Sequence, residues 1–109
     1  MLLSTDLWVS ALIRRAEMAG AFAYVLKRGD AQAGAVVLKI THLRDRETFI
    51  LRQANAGDET QWIKPIASHD PDAIETYIER ERRFDSDLWV VEIEDTEGRH
   101  FLTEKIQLL

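Results

Sequence analysis

The hydrophobic period of this chain changes at Gly20, from helical spacing to strict alternation, and that change limits the folds open to it. Before it, Trp8, Leu12, Ala16 and Ala19 recur near one helical face, flanked by Leu7 and Ala11. Ser4, Thr5 and Asp6 are good N-cap types, and Gly20 suits a position just past a helix end. A helix is therefore expected over 5–19. After Gly20, "AFAYVLK" (21–27) sets Phe22, Tyr24 and Leu26 against smaller residues, which is strand patterning.

The alternating character then persists. "RGDAQAG" (28–34) reads as a turn, and "AVVLKI" (35–40) as a central strand apolar on both faces. "RDRE" (44–47) is a charged turn before a strand at "TFILRQA" (48–54). A polar loop "NAGDETQ" (55–61) leads to "WIKPI" (62–66), whose Pro65 lacks an N–H and suggests an edge. "HDPDAIETYIERERRF" (69–84) is the plainest helix. Asp70 is its N-cap and Pro71 its first residue, where the missing N–H has no cost. Asp72 and Glu75 sit near its positive end, and Arg80, Arg82 and Arg83 near its negative end. Ile74, Tyr77 and Ile78 form its apolar stripe, with Phe84 beyond. "LWVVEIED" (88–95) is a strand with Trp89, Val91 and Ile93 on one face and Glu92 and Glu94 on the other. "TEGR" (96–99) is a turn. Residues 100–109 fit either period, and a last strand is expected there.

"TDLWV" (5–9) and "SDLWV" (86–90) share four residues, which raises the question of a duplication. The first continues into helical spacing and the second into alternation, so there is no repeat. The resulting order, α-β-β-β-β-α-β-β, implies an α+β fold: a mainly antiparallel sheet of five to six strands, with two helices packed on one face.

With 109 residues and 46% hydrophobic content, the chain suits one domain, 1–109, with its own core. It contains no Cys, which removes thiolate catalysis and Cys-based zinc sites and fits a cytoplasmic address. The longest uncharged run, residues 18–26, is far below the ~20 apolar residues of a membrane helix. "MLLSTDLWVSAL" has no basic opening, which argues against a signal peptide. Net charge is −5, with residues 1–54 holding 8 Lys/Arg against 5 Asp/Glu and residues 55–109 holding 6 against 14. The acidic second half makes nucleic acid a poor partner.

"RRAEMAG", "RGDAQAGAV" and "RRFDSDLWVVEIE", spread over nearly the whole chain, resemble a family of small uncharacterised alphaproteobacterial proteins, domain of unknown function 1491. The resemblance implies a cytoplasmic bacterial protein and brings no catalytic residues with it.

No motif specifies an activity. "SHD" (68–70) has the residue types of a catalytic triad, but consecutive side chains diverge, so a helix start is the better reading. His69, Asp70 and Asp72, with His42 or His100, are metal-ligand types without metal-ligand spacing, and no metal or other cofactor is expected. "KRGDAQAG" (27–34) matches no phosphate-loop pattern; it is expected to be a plain hairpin connection, and any ligand there an anion. Its Arg-Gly-Asp is a coincidence. "ERERR" (79–83) is a solvated helix face, Glu79 and Arg83 having the favourable order. Arg14 and Arg15 follow the first helix stripe, and Arg15 calls for an acidic partner.

Two classes of function remain. One is a non-enzymatic protein-interaction module, a homodimer or a binder of another protein, using an exposed sheet edge or Trp62. Trp8 and Trp89 are expected in one core, whereas Trp62 follows a polar loop and is expected to be exposed. The other is a small anionic-ligand binder or enzyme with a basic pocket at Arg14, Arg15, Lys27 and Arg28. A deep pocket lined by those cations would favour the second, and a flat apolar patch around Trp62 the first.

Overall fold

The computed structural model describes residues 3–56, 59–104 and 106–107. Helix α1 (Thr5–Met18) is followed by strands β1 (Phe22–Lys27), β2 (Val36–His42), β3 (Glu47–Ala56) and β4 (Glu59–Ile63). Helix α2 (Pro71–Phe84), strand β5 (Trp89–Asp95) and the two-residue β6 (Ile106–Gln107) complete the order. The α+β class and the element order agree with the sequence patterning. Among the described residues no helix is long and apolar enough to cross a membrane.

Both helices begin and end where their residues dictate. Gly20 has φ +92°, and the N–H groups of Gly20 and Ala21 reach back to the carbonyls of Glu17 and Ala16. That is a Schellman ending, which needs a left-handed residue at this position. At the start of α2, Asp70 Oδ2 accepts from the Ala73 N–H at 3.1 Å, with Pro71 next in the chain.

The sheet order is β1-β5-β2-β3-β4-β6. β5 pairs antiparallel with β1 and parallel with β2, while β2-β3 and β3-β4 are antiparallel hairpins. Five strands of useful length thus form a mixed, mostly antiparallel sheet, extended by the parallel stub β6 beside β4. Residues 27–34 therefore do not close a hairpin. β1 and β2 are separated by β5, and the loop passes over the start of that inserted strand. The expected loop at 55–61 falls largely within β3 and β4, with residues 57–58 outside the described set. β4 ends before Pro65, and its last residues Trp62 and Ile63 pair with β6, so that segment is not the open edge. The expected last strand over 100–109 is confined to Ile106–Gln107; residues 100–104 are irregular, and 105, 108 and 109 lie outside the described residues.

The helices lie on opposite faces, not on one. Val9, Leu12 and Ala16 of α1 join Val36, Leu38, Ile40, Trp89, Val91 and Ile93 in one apolar cluster. Ile74, Tyr77 and Ile78 of α2 join Val37, Ile50, Leu88 and Val90 in another. Neighbouring strand residues point to opposite faces, so Val36-Val37-Leu38 and Trp89-Val90-Val91 must serve both layers. The unbroken apolar runs in β2 and β5 are the sequence counterpart of this sandwiching.

One polar device ties the end of β5 to α1. Asp95, 2% exposed, accepts from the backbone N–H groups of Glu97 and Arg99 and from the Arg99 guanidinium at 2.8 and 3.0 Å. Arg99 also donates to the Ala19 carbonyl beyond α1 and lies over the Phe101 ring. The Arg99 guanidinium, helped by those two N–H groups, holds the Asp95 carboxyl down at about 2. A carboxyl depressed in the folded state stabilises the fold above its unfolded value near 4 and loses that contribution as pH falls toward its folded value. Unfolding free energy is thus expected to drop by about 2 kcal/mol between roughly pH 4.5 and pH 2 through this group. Asp95→Asn should remove most of that acid dependence in denaturant titrations at several pH values.

Candidate interaction surface

Strand β1 is the first in the sheet, so one side pairs with β5 and the other pairs with no described strand. Its side chains are apolar on both faces. Phe22 is 65% exposed, Leu26 47%, Val25 40% and Tyr24 39%. Edge strands in single globular chains are usually blunted by charges, Pro or a bulge. Here the register slips between Val25 and Lys27, and Lys27 is the first charge. Five residues, Phe22 to Leu26, remain as an unprotected apolar edge.

α1 covers one face of the sheet. Trp8 near its start stacks on Trp62 of β4, with ring centroids 5.4 Å apart, and its buried residues Val9, Leu12 and Ala16 share one apolar cluster with Ala23 of β1. On the opposite face a polar network backs the strand. Tyr24 Oη lies 2.9 Å from Glu94 Oε1 and 3.1 Å from Glu92 Oε1, which draws the ring inward over β5. Burial, reinforced by those two carboxylates, pushes the Tyr24 phenol far above its ordinary range. Glu92 is itself buried, and Lys39 bridges Glu75 of α2 at 2.8 Å and Glu92 at 3.9 Å. Tyr24 is therefore a neutral, fixed anchor in the middle of the edge.

The residues singled out from the sequence are placed elsewhere. Trp62 is fully buried, 0% exposed, so the expected exposure is wrong. Its strand alternation turns it toward α1, where Trp8 covers it. Trp8 is half-buried on the same cluster as the fully buried Trp89, and its indole N–H donates to Glu104. Lys27 Nζ donates to the carbonyls of Arg28, Ser86 and Leu88, and Arg28 lies over the Trp89 ring at 4.9 Å. Arg15 donates to the Phe101 carbonyl, whereas Arg14 is exposed. The start of α1 is bonded to Ala31 and Gln32, and Arg15 lies about 15 Å of helix rise away from it. The four cations therefore do not converge. Ser68, His69 and Asp70 form a helix start: Asp70 caps, its N–H donates to Ser68 Oγ, and His69 Nδ1 sits 3.0 Å from the Thr48 carbonyl. No group of His, Asp or Glu able to hold a metal occurs among the described residues. A shallow groove of about 590 Å³ lies along α2, between Ile66, Ser68, Asp70, Thr76, Tyr77 and Arg80, and includes none of the expected cations.

The β1 edge itself was missed as a set of residues. Its signal was present: "FAYVL" runs five residues without a charge on either face before Lys27. What hid it was the assumption that β1 pairs with β2.

The family profile for proteins of unknown function DUF1491 matches residues 3–103. The chain belongs to DUF1491. The fold of this DUF1491 domain is similar to a crystal structure of a DUF1491 protein from Caulobacter crescentus, at TM-score 0.91 and 50% identity over 98% of this chain and 99% of the other. A solution structure of a DUF1491 protein from the same bacterium gives TM-score 0.92 and 52% identity, covering 98% of each chain. Protein Atu0922 from A. tumefaciens, also solved in solution, gives 0.81 and 40%, again covering 98% of each. A search of curated proteins returns no match.

Proposed function

We propose that this DUF1491 domain is a non-enzymatic interaction module of the bacterial cytoplasm, and that it receives an extended polypeptide segment along β1. The observation that carries the reading is the unpaired, apolar edge Phe22–Leu26. Backbone donors and acceptors on an open edge are a ready template for another strand, and exposed alternate side chains add specificity. The lack of cysteine fits the cytoplasmic setting. The competing reading, an anionic-ligand site at Arg14, Arg15, Lys27 and Arg28, has less support. Lys27 and Arg28 are engaged by carbonyls and an indole ring, and Arg14 and Arg15 stand at a distance from them.

The test is affinity capture from a native cell extract with the wild type and with Phe22→Lys/Leu26→Lys. Both side chains are exposed, so the variant is expected to fold, as circular dichroism would verify. Proteins held by the wild type should be lost with the variant. An unchanged protein set, or a small anion retained by the wild type and lost with Arg14→Ala/Arg28→Ala, would overturn the proposal.

A further inference from the structure

We infer that the segment received by β1 is β1 of a second copy, paired antiparallel about a two-fold axis at Tyr24. This rests on the reading of β1 as a receiving edge and names its occupant. The argument begins with the order of side chains along the edge. Phe22, Ala23, Tyr24, Val25 and Leu26 run large, small, aromatic, small, large, and the pattern reads the same in both directions. In an antiparallel pair about an axis normal to the sheet, opposed residues share a face. With Tyr24 opposite its own copy, Phe22 meets Leu26 of the second copy on one face. Ala23 meets Val25 of the second copy on the other. Each exposed apolar side chain of the edge thus finds an apolar partner of fitting size, and the pairing is satisfied twice by symmetry.

One further observation favours this register. The Tyr24 hydroxyl is held over β5 by Glu92 and Glu94, so the two central rings lean apart and leave the two-fold axis clear. The slip between Val25 and Lys27 leaves Leu26 without a partner in β5, at the outer end of the symmetric pairing. Charge does not forbid the approach, despite a net −5 per copy. Glu92 and Glu94 stand on β5, so the carboxylates of the two copies would be three strand spacings apart, about 14 Å. That exceeds the roughly 8 Å over which charges act at physiological salt. Val25 shares the sheet face of α1 yet stays 40% exposed, so the helix does not overhang the edge. The contact is short beside the roughly 1,200–2,000 Å² of stable complexes, so the dimer is expected to be weak.

Sedimentation equilibrium of the full chain from roughly 1 µM to 1 mM reads this directly. The apparent mass should rise from the 12.6 kDa of the monomer toward twice that value. Phe22→Lys alone and Leu26→Glu alone should each hold the mass at the monomer. The double variant should dimerise again, because the introduced lysine of each copy faces the introduced glutamate of the other. Within one chain those positions are about 13 Å apart along the strand, too far to pair with each other. A wild type that stays monomeric throughout, or a double variant as monomeric as the single ones, would overturn the inference. A monomeric wild type that still captures another protein through Phe22 and Leu26 would overturn it while leaving the proposed function standing. A dimer whose mass is indifferent to Phe22→Lys and Leu26→Glu would place the contact elsewhere and overturn the inference.

Discussion

Replacing Trp89 with alanine is expected to lower the free energy of unfolding by about 3–5 kcal/mol, from lost transfer energy and the cavity left behind. Trp89 is 1% exposed at the head of β5 and belongs to the cluster beneath α1. Its indole N–H donates to the Asp30 carbonyl at 2.7 Å, and the Arg28 guanidinium covers its ring. Alanine would therefore empty the site and also release the 27–34 loop. Trp89→Phe separates the two effects: the ring volume is mostly kept, and only the hydrogen bond is lost, about 1 kcal/mol. Trp62→Phe is the matching control, because among the described residues the buried Trp62 indole N–H has no partner, and its removal costs no bond with them. Urea titration of the three variants tests the ranking; an unchanged midpoint for Trp89→Ala would refute it.

Gly29→Ala is expected to destabilise the chain by about 1–3 kcal/mol or more through overpacking. A Cβ at Gly29 would stand 2.1 Å from the Asp87 carbonyl oxygen, 2.6 Å from Trp89 Cδ1 and 2.7 Å from the Leu88 carbonyl carbon. Two of those atoms are backbone and have no rotamer to escape into. Gly20→Ala supplies the contrast, since an added Cβ there meets nothing within 4 Å and the cost is only that of a left-handed residue, about 1 kcal/mol. Thermal melts should rank Gly29→Ala below Gly20→Ala, with the Trp89 indole proton exposed to exchange in the former alone. Equal melts would mean that the 27–34 loop can lift away from β5.

The local parts of this fold were legible because their signals are local. Asp70 and Pro71 mark a helix start, Gly20 marks a helix end, and the change of period separates helix from strand. The placement of β5 was not legible. Gly29 and Gly34 look the same whether a loop closes a hairpin or crosses an inserted strand, and Val36 meets Trp89 only through a parallel pairing across more than 50 residues. The two-faced apolar runs in β2 and β5 did imply cover on both sides, and they outweigh the assumption that two helices share a face. Trp62 misled because its neighbours at 55–61 are polar, while the ring that buries it, Trp8, lies 54 positions earlier. As for the candidate surface, the alternation of Phe22, Tyr24 and Leu26 was visible, but edge status belongs to the sheet order and not to the strand.

The insertion of β5 between β1 and β2 has a consequence for biosynthesis. The ribosome delivers β5, the strand that joins β1 to the rest of the sheet, only after β2, β3 and β4. At about 5–20 residues per second, roughly 3–13 s separate the appearance of β1 from that of β5. During that interval β2, β3 and β4 are able to form their hairpins, while β1 and the inner side of β2 wait without the strand that joins them. Vectorial folding from the N-terminus is thus closed to this architecture, and the nascent chain exposes two apolar strand sides at once. Any transcript or protease event that stops short of residue 95 yields a fragment that lacks all or part of the strand joining β1 to the rest of its sheet, a substrate for chaperones and for degradation.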